Sequence, residues 1–125
     1  GASFVAQGTP ADMQGLASVI EEAVRFPGFA FVNVQSPCVT YGQEEQQLRA
    51  HKGTMQGLAG LGHDPSDRLK AMALASEYGH KLYTGVFYRN PEPPPTYEAE
   101  ARRRQEEAKA QARPKNRILE MFRPQ

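Results

Sequence analysis

The stretch from residue 29 to residue 42 constrains the fold more than any other part of the chain. Residues 29–34 form a nearly continuous apolar run, which is typical of a β-strand buried on both faces of a sheet. A Ser-Pro pair ends this strand at Pro37, and Gly42 frees the backbone after it. Between these two breaks lies Cys38, the only cysteine of the chain. A thiol at the carboxyl end of a buried strand lies where α/β proteins usually have their ligand-binding and catalytic residues.

A strand and a helix precede this run. Residues 2–6 are apolar and strand-like. Thr9 is predicted to cap the helix that follows, with Pro10 at its first position and Asp12 completing a capping box. Apolar residues at three- and four-residue spacing predict one buried helix face: Met13, Leu16, Ala17, Ile20, Ala23 and Val24. Two buried-type strands joined by such a helix predict a parallel, right-handed βαβ unit.

Two parallel strands do not complete a domain, because both edges of their sheet stay open. We therefore expect residues 1–42 to be the end of a larger α/β domain, which receives further strands from a preceding part of the protein or from another chain. The chain opens on a strand and lacks the basic start of a signal peptide. We expect it to be a piece of a longer protein.

The rest of the chain predicts helices separated by loops. Residues 43–60 are expected to form a polar helix with a thin apolar stripe, which consists of Leu48, His51, Met55 and Leu58. A second helix is predicted to begin with Asp64 as its cap, Pro65 as its first residue and Asp67 at the third position. The same helix is predicted to end at Gly79.

The last third of the chain predicts one strand and one exposed helix. Residues 82–88 are rich in aromatic and β-branched side chains and predict a short strand. Residues 90–95 form a proline-rich connector. Residues 97–112 predict a helix with almost no apolar face, which is typical of a helix in solvent or on a partner. Four apolar residues near the end are expected to form a docking anchor: Ile118, Leu119, Met121 and Phe122.

Charge and cysteine content narrow the range of partners. The chain has 15 basic and 14 acidic residues, a formal net charge of +1, so we expect neither nucleic acid nor a membrane as partner. No apolar run approaches the roughly 20 residues that a membrane span needs. A single cysteine excludes an internal disulfide framework and fits a cytoplasmic location.

Three kinds of residue could carry chemistry. By residue type alone, Cys38 is a buried structural residue, a nucleophile or one ligand of a metal cluster, and the first is commonest for a lone cysteine. His51, His63 and His80 lie on separate predicted elements, which favours ordinary structural or surface roles. The three arginines at 102–104 favour a solvated helix face, with contact to an acidic electron carrier as the alternative.

Several segments together carry the pattern of a known family. Residues 28–41, with their Ser-Pro-Cys loop, resemble the C-terminal strand and loop of the β subunit of 2-oxoacid:ferredoxin oxidoreductases. Residues 1–6 are similar to the strand that precedes this loop in the family. Residues 62–68, 85–89 and 95–98 resemble the arm that follows it in the members acting on 2-oxoglutarate. The resemblance covers almost the whole chain, in the order of the family.

The resemblance implies that residues 1–42 end a thiamine-diphosphate-binding domain of the doubly wound α/β class, and that residues 43–125 form an extended helical C-terminal arm. It implies coenzyme A-dependent oxidative decarboxylation of 2-oxoglutarate or another 2-oxoacid such as pyruvate, with electrons passing to ferredoxin. The implied cofactors of the complete enzyme are thiamine diphosphate, Mg²⁺ and a [4Fe–4S] cluster. The implied protein partners are the α subunit and ferredoxin.

The resemblance also implies a role for Cys38. Three cluster cysteines of the family lie near the N-terminus of the subunit and the fourth lies in the Ser-Pro-Cys loop, so Cys38 is implied as the fourth ligand. This sequence contains neither the three other cysteines nor the family's Gly-Asp-Gly segment, which binds Mg²⁺ and the diphosphate. No catalytic or diphosphate-binding residue is therefore assigned, and the chain alone is expected to be inactive. The alternative is a non-catalytic interaction module with a structural cysteine.

Overall fold

The predicted strand–helix–strand unit opens the fold. Strand β1 (Phe4–Gly8), helix α1 (Met13–Arg25) and strand β2 (Ala30–Val34) follow one another. The two strands are parallel, with Phe4 opposite Ala30 and Gly8 opposite Val34, which confirms the predicted pairing. The computed structural model describes residues 1–38, 40, 44–77, 81–111 and 121–122. The predicted break at Gly42 lies outside these residues.

Helix α1 begins later than the sequence predicted. Asp12 is its N-cap, because an Asp12 carboxylate oxygen accepts a hydrogen bond from the Gly15 N–H at 3.0 Å. The predicted cap, Thr9, is wrong: its carbonyl accepts the Asp12 N–H at 3.0 Å, so a turn precedes the helix. The Thr9 hydroxyl instead accepts the Ala11 N–H at 3.3 Å and is fully buried.

The predicted buried face of α1 is rotated from the observed one. Leu16 and Val19 are the buried residues of the helix. Within the predicted face, Met13 and Val24 are 64% and 81% exposed. The helix packs Leu16 and Val19 against Phe4 of β1. The sequence contains two adjacent apolar stripes, and only the position of the sheet selects between them.

The chain itself enlarges the sheet, which corrects the expectation that further strands must come from elsewhere. Strand β4 (Leu82–Arg89) pairs antiparallel with β1, and strand β3 (Met55–Gly57) pairs parallel with β4. The strand order is β2-β1-β4-β3. In the part of the chain that the structure describes, β2 is therefore an edge strand. None of its residues is buried, so the predicted burial of residues 29–34 on both faces is not found.

Two apolar clusters cover this sheet. Phe4 and Ala6 point to the side of α1, whereas Val5 packs with the second cluster on the other side of β1, because successive side chains of a strand alternate. The second cluster consists of Leu58, Ala71, Tyr83 and Phe87. The sheet is thus mixed, with helices packed on it, and belongs to an α/β type of fold.

The middle of the chain contains shorter elements than predicted. Helix α2 spans Glu44–Thr54 and is followed by β3 and a 3₁₀ turn at Leu58–Leu61, so the predicted helix over 43–60 is too long. Helix α3 spans Arg68–Ser76. Its N-cap is Asp67, which accepts the Lys70 N–H at 3.0 Å. The predicted cap Asp64 is wrong, since it accepts the Ser66 N–H in a turn. The predicted stop at Gly79 lies outside the described residues.

The chain divides into two units, Gly1–Pro94 and Pro95–Gln125. The second contains helix α4 (Tyr97–Ala110), which has no buried residue, as its polar sequence predicts. Thr96 caps it by accepting the Ala99 N–H at 3.3 Å. Of the predicted anchor, Met121 and Phe122 are exposed, and residues 118–119 lie outside the described part. The functional division after residue 42 stays a prediction.

Candidate functional site

The cysteine loop follows the carboxyl end of β2. The Gln35 N–H donates to the Gly8 carbonyl at 2.8 Å, so the pairing with β1 continues one residue beyond the strand. The Ser36 N–H then donates back to the Val34 carbonyl at 3.0 Å and turns the chain away from the sheet. Cys38 is exposed. The sequence therefore placed the thiol correctly, at the carboxyl edge of a parallel pair.

Helix α2 contacts this edge at two points. A Gln47 side-chain oxygen accepts the Cys38 backbone N–H at 3.2 Å. One turn further along the helix, His51 Nδ1 lies 3.0 Å from the Thr9 hydroxyl, which follows β1. Residues four apart share a helix face, so one face of α2 meets the ends of both parallel strands. The sequence favoured an ordinary structural or surface role for His51 and did not identify Gln47, whose polar side chain carries no distinguishing local pattern.

A group of amide side chains links three strands beside the loop. Gln7 Nε2 donates to the Tyr83 carbonyl of β4 at 2.8 Å. Its Oε1 accepts from Asn33 Nδ2 of β2 at 2.7 Å and from Gln35 Nε2 at 3.4 Å. Both functional groups of this amide are therefore satisfied between the strands. Sequence reasoning missed this group as well, because its members are far apart along the chain.

A small cavity of about 190 Å³ adjoins these amides, with Gln7, Asn33, Lys81 and Tyr83 among its lining residues. The Tyr83 hydroxyl donates to a Glu77 carboxylate oxygen at 2.6 Å. This hydrogen bond raises the pKa of the Tyr83 phenol above its ordinary value of 10.0, so the hydroxyl keeps its proton at neutral pH. Tyr83 serves here as a neutral donor.

The histidines do not assemble into a site. His63 Nε2 contacts the Phe87 carbonyl at 2.7 Å and His51 contacts Thr9, while His80 lies outside the described residues. Among the residues that the structure describes, no three His, Cys, Asp or Glu side chains are grouped so that they could hold a metal ion. Cys38 offers one soft sulfur donor at an exposed position, which fits one ligand of an iron–sulfur cluster and no more.

The three arginines of α4 lie on a helix whose acidic residues pair with two of them. Arg103 pairs with Glu100 at 2.7 Å and with Glu107 at 2.5 Å, and Arg104 pairs with Glu100 at 2.9 Å. Hydrogen bonds from Arg103 and then from Arg104 lower the pKa of the Glu100 carboxyl to about 2. The two arginines are thus partly neutralised within the helix, which favours the solvated-face interpretation.

The chain matches known proteins over most of its length. A family described as the C-terminal region of the pyruvate ferredoxin oxidoreductase beta subunit has a sequence model that matches residues 38–106, which is more than half of the chain. The matched segment begins at Cys38. No helix among the described residues is both long and apolar enough to cross a membrane.

Two curated relatives are beta subunits of 2-oxoacid:ferredoxin oxidoreductases. The protein from Saccharolobus solfataricus is 31% identical over 107 residues, covering 72% of this chain and 32% of the relative. The protein from a Sulfolobus species is 31% identical over 107 residues, covering 78% of this chain and 35% of the relative. The chain thus spans about a third of the length of these relatives.

A solved structure has the same fold. The 2-oxoglutarate:ferredoxin oxidoreductase from Magnetococcus marinus, determined with 2-oxoglutarate, coenzyme A and succinyl-CoA bound, superimposes with a TM-score of 0.79 at 29% sequence identity. The match covers 99% of this chain and 42% of that one. The likeness therefore includes both the sheet and the elements that follow it in sequence.

Proposed function

Because the chain belongs to the family formed by the C-terminal region of pyruvate ferredoxin oxidoreductase beta subunits, we propose that it works as this part of a 2-oxoacid:ferredoxin oxidoreductase. The complete enzyme would decarboxylate a 2-oxoacid, transfer the acyl group to coenzyme A and pass the released electrons to ferredoxin. The neighbouring structure, which was determined with 2-oxoglutarate and succinyl-CoA, favours 2-oxoglutarate over pyruvate as the substrate. The proposed partners are the α subunit and ferredoxin, and a cytoplasmic location stays a prediction.

The proposed cofactors of the complete enzyme are thiamine diphosphate with Mg²⁺ and a [4Fe–4S] cluster. When bound, the cluster would carry electrons one at a time from the oxidised substrate towards ferredoxin. Within this chain we assign one ligand to it, Cys38. No described residue is assigned to thiamine diphosphate or Mg²⁺.

The observation that supports this assignment is the position of Cys38. Its thiol is exposed beyond the carboxyl end of β2, and its backbone N–H is held by Gln47. The loop is hydrogen-bonded to the sheet through Gln35 and to helix α2 through Gln47, and it places the cysteine at the surface, where a cluster ligand has to meet donors from other sequence. A thiolate is also the donor that iron–sulfur clusters require.

The test is the substitution Cys38→Ser in the complete β subunit, purified together with its α subunit. We expect the iron content to fall and the EPR signal of the reduced cluster to be lost or altered, because a hydroxyl is a poor replacement for a thiolate ligand. Ferredoxin reduction by 2-oxoglutarate and coenzyme A should fall with it. Ser36→Ala, in the same loop, is the matched control and should leave all three measurements unchanged.

The iron measurements test the ligand assignment by itself. If Cys38→Ser keeps its iron and its EPR signal, the assignment of Cys38 as a cluster ligand is wrong. The curated relatives are oxidoreductase subunits, and no observation favours a non-catalytic interaction module. Comparing kcat/KM for 2-oxoglutarate and pyruvate in the unmodified enzyme identifies the substrate.

A further inference from the structure

We propose that Gln47 and His51 of helix α2 are positioning residues for the Cys38 thiol. This inference rests on the proposed function of Cys38 as a cluster ligand, and it assigns to α2 the task of holding that ligand. The hydrogen bonds at the carboxyl edge of the sheet connect the core of the fold to the residue that bears the sulfur atom.

The first residue of the cysteine loop is hydrogen-bonded to the sheet. The backbone hydrogen bond from Gln35 to Gly8 extends the β1–β2 pairing and lies three residues before Cys38. At Cys38 itself, the backbone N–H is directed to the side chain of Gln47 at 3.2 Å. The peptide plane before Cys38 is thus oriented by α2.

The second contact of α2 joins the helix to a buried residue beside the core. His51 Nδ1 lies 3.0 Å from the hydroxyl of Thr9, and Thr9 is 0% exposed. Thr9 directly follows β1, which carries Phe4 and Ala6 of the core. The path from the core to the thiol therefore runs through Thr9, His51 and Gln47 to the Cys38 amide.

The consequence for a cluster ligand is geometric. The peptide plane that carries the Cys38 N–H fixes the position of the Cys38 Cα atom, from which the side chain with the sulfur extends. Hydrogen bonds around cluster ligands also influence the stability and potential of the cluster. The side-chain oxygen of Gln47 accepts the Cys38 N–H. A substitution at position 47 should therefore change how tightly the position of the sulfur is restrained, without removing any cluster ligand.

The experiment uses the complete enzyme with four substitutions on the same helix. Gln47→Leu keeps the size of the side chain and removes the acceptor, whereas Gln47→Glu keeps an acceptor oxygen. Gln46→Leu makes the same chemical change at the preceding position, which is exposed. His51→Phe keeps a ring and removes the contact with Thr9. Each variant is checked for folding by circular dichroism.

The readouts are the rate of iron loss to an external chelator and the EPR spectrum of the reduced cluster. Loss of one hydrogen bond to the loop predicts an increase of about twofold to tenfold in the rate of iron loss for Gln47→Leu. We expect a shifted EPR spectrum for that variant, rescue of both properties by Gln47→Glu, and no change for Gln46→Leu. His51→Phe should accelerate iron loss in the same way.

The outcomes distinguish this inference from the function on which it rests. If Cys38→Ser loses the cluster but Gln47→Leu releases iron at the unmodified rate with an unchanged spectrum, only the positioning role is wrong. Equal acceleration by Gln46→Leu would show a general effect of the helix surface and also overturn it. If His51→Phe has no effect, the second attachment point is not His51. Retention of the cluster by Cys38→Ser would overturn the ligand assignment itself.

Discussion

Substituting alanine for Gly8 should loosen the contact between β1 and α1. Gly8 is the last residue of β1 and is buried. A Cβ atom at this position would lie 2.8 Å from Leu16 Cδ1 and 3.2 Å from Leu16 Cα. The side chain could rotate to relieve the first contact, but the second involves the backbone of a helix that packs on the sheet. The clash therefore has to be relieved by moving α1 or β1.

The magnitude follows from two opposing contributions. Overpacking of a core costs about 1–3 kcal/mol. Replacing glycine by alanine also stabilises the folded state by about 0.4–1 kcal/mol, because it restricts the unfolded chain. The net destabilisation for Gly8→Ala is then about 0.5–2 kcal/mol. Gly57→Ala is the matched control in β3: nothing lies within 4 Å of its added Cβ, so only the stabilising contribution remains.

Amide hydrogen exchange measured by mass spectrometry tests this in the complete subunit, because it reports the opening of individual elements. Peptides from β1 and α1 should exchange about two- to thirtyfold faster in Gly8→Ala, the factor that corresponds to the net free energy. Peptides from β3 in Gly57→Ala should exchange at the original rate or more slowly. In a Leu16→Ala background, which removes Cδ1, Gly8→Ala should lower the free energy of unfolding by less than it does in the unmodified protein.

Unchanged exchange in β1 and α1 would refute the reasoning, since it would mean that the helix accommodates the methyl group without cost. An equal cost in the Leu16→Ala background would show that the strain does not come from the Leu16 side chain. Slower exchange in Gly8→Ala would mean that the restriction of the unfolded chain outweighs the clash.

Two further predictions concern helix ends and ion pairs. Asp12→Ala should destabilise the first turn of α1 by about 1 kcal/mol, because the Gly15 N–H loses its acceptor. Unchanged amide exchange in that turn would mean that Asp12 is not the cap. The pKa of Glu100 should be near 2 rather than 4.5 in an NMR titration, because Arg103 stabilises its carboxylate. Because the pKa of Glu100 is lower in the folded state, the stabilisation of α4 by its ionised carboxylate is complete above about pH 4.5. This stabilisation is lost as the pH falls through about 2. Glu100→Gln should remove this pH dependence of amide protection in α4, and a midpoint at 4.5 would contradict the ion pair.

The predictions that succeeded depend on local patterns. The apolar run that ends at Pro37, the β-branched residues of β4 and the polar composition of α4 each specify an element without reference to the rest of the chain. The errors in α1 occurred where two local solutions were equally good. Thr9 and Asp12 are both suitable caps, and α1 has apolar residues on two neighbouring stripes. Local propensity does not distinguish these solutions, whereas the position of the sheet does.

The sequence by itself determined the βαβ order, the family to which the chain is similar and the position of Cys38 at the end of a strand. The tertiary structure alone decided that β4 pairs with β1 and that α2 returns so that Gln47 contacts the Cys38 backbone. The physical reason is that periodicity and capping encode interactions within a few residues. Pairing between distant strands and hydrogen bonds between separate elements depend on the path of the whole chain through space.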